Sequence, residues 1–485
     1  MNVFDYFFEK SKGIDKDLVL GPKEQVSYDE VFQSSLKLAS YLQKEAGTGQ
    51  NILIVSENSV FFIIAYLSVL KSGNVCIPIN PGLEDKLKEE IIKESAPALA
   101  FISKKFKRKF SESRFKIISN DDIEPAISKI SVSRETNPDF DSGNVAEIIY
   151  TSGSTGEQKG VMLTHKNIIA NTESILEYLK LSAKDTVEVV LPFYYCYGLS
   201  LLHTHLRVGG SLVLNNSFIF LGSVINDIKK YNCTGFAGVP SHFQILLRKS
   251  KDFKNMEFPS LRYVTQAGGK LHNAFIEEFT ESFPDVRFFV MYGQTEATAR
   301  LSYLEPEMLK SKLGSIGKGI SGVELKIIND KHKEAGIDEE GEIIAKGDNI
   351  MKGYYNDSDL TGRTIKNGWL FTGDIGKRDS DGFFFITGRK KEIIKVSGVR
   401  ISPKEIEEVI VRHPLVIDCR IKAEKDDVLG EQLTATIYIS EDSAENITGK
   451  EIKEHCKKHL TIKKIPTAIN FETKLPINQS GKRSI

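Results

Sequence analysis

Cysteine is scarce in this 485-residue chain: Cys76, Cys196, Cys233, Cys419 and Cys456 are scattered, odd in number and without a CxxC pair. That spacing argues against a disulfide framework and against a zinc cluster, and it fits a reducing cytoplasm. Long apolar runs are missing too. The longest, Val60 to Leu70, is too short to span a bilayer and reads as a buried helix opened by Glu57-Asn58-Ser59. Net charge is absent, with Lys plus Arg and Asp plus Glu at 65 each. Global electrostatics therefore draw the chain neither to nucleic acid nor to an anionic membrane. The opening MNVFDYFFEK breaks its apolar patch with Asp5 and Glu9 and lacks a signal-peptide layout. No repeat, low-complexity tract or heptad register is visible, and no GxxxxGK[ST] Walker loop occurs.

What is present is ordinary globular composition, 40% hydrophobic and 27% charged, over a length that implies two or more domains. A capping box at Ser27 to Glu30 opens a helix through Leu42. NILIVS (Asn51 to Ser56), the Val60 helix and NVCIPIN (Asn74 to Asn80) continue a βαβα series, which predicts a largely parallel sheet covered by helices. KKFKRKF, Lys104 to Phe110, is the one dense basic patch and reads as a solvated loop.

The stretch YTSGSTGEQKG, Tyr150 to Gly160, is the most informative. Glycines let backbone N–H groups converge on one anion, the hydroxyls of Thr151, Ser152, Ser154 and Thr155 add neutral donors, and Lys159 adds a mobile positive charge. That inventory suits a triphosphate, although a Gly/Ser cluster by itself equally suits an empty polar turn. VAEIIY before it reads as a strand. Ile168, Ile169, Ile175, Leu176 and Leu179 behind an N-cap at Thr164 read as a helix, which places the loop between a strand and a helix.

Later segments repeat one pattern, an apolar strand running into glycines or polar residues. LPFYYCYGLS (Leu191 to Ser200) holds an aromatic cluster, and no Asp or Glu lies between Glu188 and Asp227 to meet a ligand ammonium group. His203 and His205 have no nearby Cys or carboxylate to complete a metal site and read as structural. FAGVPSHF, VTQAGGKL and FFVMYGQTEAT follow. Glu296 in the last stands where open α/β sheets bind ligands and suits the Mg²⁺ that accompanies a nucleotide triphosphate. From about Gly314 short Gly-punctuated strands predict β-hairpins, with Asp374 in TGD and Arg389 in TGRKK after apolar positions. A lysine-rich module then ends in SGKRSI.

Taken in order, YTSGSTGEQKG, YGQTEAT, TGD, GRKKEIIKVSGVRISPKEIE and the terminal SGK resemble the acyl-adenylate-forming superfamily of acyl-CoA synthetases, aryl-CoA ligases, beetle luciferases and peptide-synthetase adenylation domains. The likeness covers nearly the whole chain. It implies an α/β fold: a large N-terminal domain of parallel-rich sheets, helices and a β-rich subdomain (1–388), a hinge (389–391) and a small mobile α+β C-terminal domain (392–485). It implies ATP bound through Thr151, Ser152, Gly153, Ser154, Thr155, Gly156 and Lys159. Adenine falls near Gly269, Lys270, Tyr292 and Gly293, ribose on Asp374 with Arg389 nearby, and Mg²⁺ on Glu296. Thr295 falls at the α-phosphate and Lys482 at the adenylation transition state. Lys391 corresponds to the hinge residue, and Ser397, Gly398 and Arg400 to the channel for the thiol of CoA. Tyr195, Gly238, Ser241 and Gly268 become acyl-pocket wall, for a fatty or aromatic acid rather than an α-amino acid. The implied reaction is ATP-dependent acyl-adenylate formation with pyrophosphate release, then transfer to CoA. Two alternatives stay open: loading the phosphopantetheine thiol of an acyl carrier protein, and a non-catalytic nucleotide- or acyl-binding homologue. Oligomeric state is open.

Overall fold

The computed structural model describes residues 1–485 except 111–112, 129, 131–139, 153–156, 219, 251, 390–393, 397–398, 427–429, 444–445 and 477–485; residues 152, 394–396, 399–400, 425–426 and 430–431 are described by backbone alone. Two large sheets organise the N-terminal part. One has seven strands in the order Gly353–Tyr354, Gln158–Thr164, Val145–Ser152, Val75–Ile79, Asn51–Val55, Leu99–Ile102 and Lys116–Ile118. Its Val75–Ile79, Asn51–Val55, Leu99–Ile102 and Lys116–Ile118 strands pair in parallel, as the βαβα pattern predicts. The other has nine, with a parallel centre formed by Arg287–Tyr292, Tyr263–Gln266, Gly235–Gly238, Thr186–Val189 and Ser211–Leu214.

Sequence chemistry explains the elements between them. The helix Val60–Lys71 is apolar on every face, capped by the Ser59 hydroxyl accepting from Phe62 N–H, and buried without a break from Phe61 to Leu70. A helix hydrophobic all round belongs inside, and each fully buried Phe, Ile or Leu contributes roughly 1.5–3 kcal/mol relative to exposure. The capping box at Ser27 and Glu30 forms, opening Tyr28–Ala46. The basic patch is exposed and largely paired: Lys104 with Asp121, Lys105 with Glu57 and Lys107 with Asp122.

One local expectation is corrected. The Gly/Ser/Thr segment does not run from a strand into a helix: Thr151 faces Lys159 and Ser152 faces Gln158 in an antiparallel pair, and the helix His165–Leu179 starts only after the second strand. The alternation Val161, Leu163 is a period-2 pattern that buries one face of that strand. The Thr164 N-cap is as expected, its hydroxyl accepting from Asn167 N–H.

A five-stranded antiparallel unit follows, with Trp369–Arg378 at its centre, flanked by Gly341–Gly347, Phe384–Arg389 and Ile365–Lys366. The C-terminal part holds a hairpin, Ile394–Val396 with Val399–Ile401, the helix Pro403–Ile410, and a three-stranded sheet of Val416–Asp426, Gly430–Ile439 and Ala468–Glu472. It docks on the large domain through a small apolar cluster of Ile245, Ile417, Tyr438 and Leu475. Beside that cluster, Gln244 Nε2 donates to Asp418 Oδ1 at 3.2 Å. Glu408 completes the contact, accepting from the backbone N–H of Asn273 at 2.7 Å and lying 3.2 Å from His272 Nδ1 and 3.7 Å from Lys270 Nζ. Burial by itself would raise the Glu408 carboxyl, but the His272 hydrogen bond and the nearby positive charges hold it below the usual carboxylate range. Among the described residues no helix is long and apolar enough to cross a membrane.

Candidate active site

The segment Lys352–Tyr355 is sewn onto the strand Gln158–Thr164, because Lys352 N–H donates to Met162 O and Tyr355 N–H donates to Gly160 O at 2.7 Å. Gly160 permits this approach: a Cβ there would stand 2.9 Å from Ile148 Cγ2 and 3.1 Å from Tyr355 Cβ. The consequence is chemical. Tyr354 lies with its ring 5.8 Å from the Lys159 ammonium, while its hydroxyl donates to Glu296 Oε1 at 2.8 Å. Lys159 and Glu296 thus meet across one tyrosine without pairing with each other, and among the described residues neither makes an ion pair. Burial and the Glu296 charge push the Tyr354 hydroxyl far up, so it stays a donor. Tyr354 was not anticipated from the sequence; the GYYND turn was its only signal.

Glu296 sits in the 3-10 turn Thr295–Ala297, half-buried, with its carbonyl accepting from Met351 N–H at 2.9 Å. The turn is held under strain. Thr298 has φ +56° and Ala299 φ +110°, the latter outside the region ordinary residues favour. Asn349 over-determines it by donating to Ala297 O and Arg300 O, and Thr298 Oγ1 donates to Asn349 O at 2.6 Å. Gly293 is demanded by packing, since a Cβ would fall 2.0 Å from Ala299 O. Thr295 Oγ1 lies 3.6 Å from Cys196 Sγ, which joins the turn to the aromatic motif.

Asp374 is 4% exposed and doubly engaged: Tyr292 hydroxyl donates to Oδ2 at 2.7 Å and Arg389 Nε donates to Oδ1 at 2.9 Å. Register explains the second contact, because Asp374 and Arg389 stand opposite each other on antiparallel strands. Gly373, at φ +76°, turns the strand at this point. Burial first, then the Asp374 charge, push the Tyr292 phenol well above its ordinary value, so it remains a hydrogen-bond donor.

The remaining predicted residues fall as follows. Gly268 takes φ +82°, and Gly269 O accepts from Gln266 Nε2 at 2.7 Å. Lys270 is drawn toward Glu408 of the C-terminal part. Tyr195 is the N-cap of the helix Cys196–Val208, its ring 4.8 Å from Tyr194. Gly238 is explained by packing, a Cβ there lying 2.9 Å from Phe243 Cε2, and Ser241 is buried at the start of Pro240–Lys249. Thr151 and Ser152 lie on the strand before the loop and Arg400 on the strand Val399–Ile401. Gly153, Ser154, Thr155, Gly156, Lys391, Ser397, Gly398 and Lys482 lie outside the described residues.

Four motifs far apart in sequence thus supply a cation on the strand Gln158–Thr164 close to a carboxylate, and a buried aspartate beside an arginine. That combination suits a nucleotide triphosphate and its metal more than it suits acid–base chemistry, and the class it defines is an ATP-using, acyl-adenylate-forming enzyme. The chain belongs to the AMP-binding enzyme family, which matches residues 9–355, while the AMP-binding enzyme C-terminal domain matches residues 405–482. Oxalate–CoA ligase of Arabidopsis thaliana is 29% identical, covering 92% of this chain and 89% of that one. 4-Coumarate–CoA ligase 2 of Nicotiana tabacum is 30% identical over 96% and 89%. The o-succinylbenzoate CoA synthetase of Bacillus subtilis, solved with its acyl-adenylate intermediate, superposes with a TM-score of 0.86 at 25% identity, covering 99% of this chain and 96% of that one; it has also been solved with ATP and magnesium ion.

Proposed function

We propose that this enzyme joins a carboxylic acid to ATP as an acyl-adenylate, releases pyrophosphate, and passes the acyl group to the thiol of CoA. The observation that carries this is the convergence of Lys159, Glu296 and the Tyr292–Asp374–Arg389 group from separate motifs. A substrate carboxylate is already ionised at neutral pH and attacks the α-phosphorus without a protein base. Lys159 and the hairpin hydroxyls hold the outer phosphates, Thr295 the α-phosphate region, Asp374 the ribose hydroxyls, and Tyr292 with Gly293, Gly269 and Lys270 the adenine. Asp374 keeps spare lone pairs beyond its two present bonds.

Glu296 fits Mg²⁺: Tyr354 engages Oε1, no described residue bonds Oε2, and magnesium characteristically takes one or two carboxylates plus substrate phosphates. Bound there, the ion would neutralise charge on the phosphate oxygens. Lys482 is assigned the transition-state charge at the α-phosphate. The hinge at 389–391 would let the C-terminal domain exchange Lys482 for the Ser397, Gly398 and Arg400 face during thioester formation. The carrier-protein alternative has no specific observation in its favour, and a cytoplasmic location accords with the free thiols.

The test is acid-dependent ATP–pyrophosphate exchange without thiol. Exchange with one acid class is expected. Lys482→Ala is expected to remove most of it while largely sparing thioester formation from supplied acyl-AMP. Equal loss of both half-reactions would refute the hinge assignment, and no exchange with any acid despite ATP binding would favour a non-catalytic homologue.

A further inference from the structure

Among the described residues Arg300 is a buried cation with no counter-charge. It is 2% exposed, its Nε donates to Met291 Sδ at 3.2 Å, its Nη1 to Ala299 O at 3.3 Å, and its guanidinium carbon lies 4.2 Å over the Tyr197 ring. None of these neighbours is an anion; the Tyr178 phenol is a further neutral hydrogen-bond partner of the guanidinium, and among the described residues no carboxylate is within ion-pair distance. The contrast lies within the same molecule. Arg207, comparably buried, pairs with Glu9 and Glu173, and Arg248 pairs with Glu278. A guanidinium taken out of water costs free energy that a thioether sulfur, a phenol and one carbonyl do not return in full, so a buried arginine ordinarily has an acid beside it.

Its place in the fold says what kind of acid. Arg300 ends the strained turn that carries Thr295 and Glu296, and its carbonyl is held by both Asn171 and Asn349. Tyr197 follows Cys196, and Cys196 touches Thr295. The contacts Cys196–Thr295 and Tyr197–Arg300 therefore both tie the start of the helix Cys196–Val208 to this turn, the first at the assigned α-phosphate end and the second at the turn's far end. Tyr197 is fixed there by its hydroxyl donating to Thr265 O at 2.9 Å.

We propose that Arg300 receives the second carboxylate of a dicarboxylic acid whose first carboxylate is the one adenylated. This rests on the acid-activating function above and narrows its substrate: a hydrocarbon tail beside Arg300 would leave the guanidinium desolvated and without a counter-ion, whereas a distal carboxylate supplies one with charge-assisted hydrogen bonds. It narrows the fatty or aromatic acid implied by the family resemblance to one that carries a second carboxylate.

The experiment is pyrophosphate exchange with oxalate, malonate, succinate, glutarate and adipate, each against a monocarboxylate of matched length, and with benzoate against phthalate, for the full chain and its Arg300→Met variant. One or more diacids should exceed their monoacid partners by at least tenfold in kcat/KM. Arg300→Met should lower that diacid's kcat/KM by ~100-fold while monoacid exchange is unchanged or rises. Preference for monoacids by the unaltered enzyme overturns the assignment but leaves adenylation standing, and it decides the matter even where the variant does not fold. Equal loss for every acid in a folded variant also overturns it, because Arg300 would then act on the reacting carboxylate or on the turn. No exchange with any acid sinks the adenylating function itself.

Discussion

Glu147 makes the stability of the large domain depend on pH in a calculable way. It sits on the strand that leads into the Gly/Ser/Thr hairpin, is 1% exposed, and has the Tyr66 hydroxyl donating to Oε2 at 2.8 Å. His203 Nε2 lies 2.8 Å from that same hydroxyl, and Cys76 is the residue opposite on the adjoining parallel strand. Desolvation pushes the carboxyl up from 4.5 to about 7, the Tyr66 hydrogen bond only partly offsetting it. Burial likewise pushes the Cys76 thiol up and the His203 imidazole down to about 3, so both neighbours are neutral over the relevant range. The folded chain therefore holds a proton that the unfolded chain releases between pH 4.5 and about 7. Stability from this group is greatest below 4.5, falls as pH rises through that window, and levels off above it. The window corresponds to about 3 kcal/mol at 1.36 kcal/mol per pH unit. Glu147→Gln, a neutral isostere, removes the fall. Urea unfolding of both proteins from pH 5 to 8 should show the variant gaining relative to the parent, up to about 3 kcal/mol at pH 8. Contributions from His165, His203, His205 and His242 cancel in the difference. A difference that does not change with pH would refute the reasoning.

Three further outcomes follow from the site. Asp374→Asn weakens the charge-assisted bond from Arg389 and loses an acceptor for ribose, so the KM for ATP should rise about tenfold or more, at ~1.5–3 kcal/mol for a hydrogen bond to a charged group; an unchanged KM would remove Asp374 from the nucleotide site. Tyr354→Phe keeps the ring over Lys159 and deletes the bond to Glu296. The Mg²⁺ concentration for half-maximal exchange should rise several-fold, and Mn²⁺ binding to the ATP-loaded protein, read by electron paramagnetic resonance, should weaken in parallel. Glu408→Ala should loosen the C-terminal domain by about 1–3 kcal/mol, visible in calorimetry as an earlier, separate transition for that domain. A single unaltered transition would show that the apolar contact at Ile245 and Tyr438 suffices.

Much of the architecture was legible because it rests on local pattern. The Ser27 and Thr164 caps, the all-apolar helix at Val60 and the Gly-punctuated hairpins after Gly314 each follow from residue chemistry within one or two turns of chain. The hairpin at Gln158 was missed because its alternation is only a few residues long and runs directly into a helix cap. Tyr354 was missed for a different reason: its importance comes from Lys159 and Glu296, which no local pattern connects to it. Gly238, expected on the acyl-pocket wall, has its lack of a side chain explained by Phe243.

By itself the sequence determined the family, the order of the motifs and the kinds of group available for binding a nucleotide, since each is a property of short contiguous runs. Only the tertiary structure decided which of those groups touch. It set Tyr292 and Arg389 on one carboxylate, interposed Tyr354 between a lysine and a glutamate, and gave Arg300 no acid among the described residues. Burial and pairing belong to the folded chain, and it is burial that turns a charged side chain from a solvated surface group into one that must find a partner.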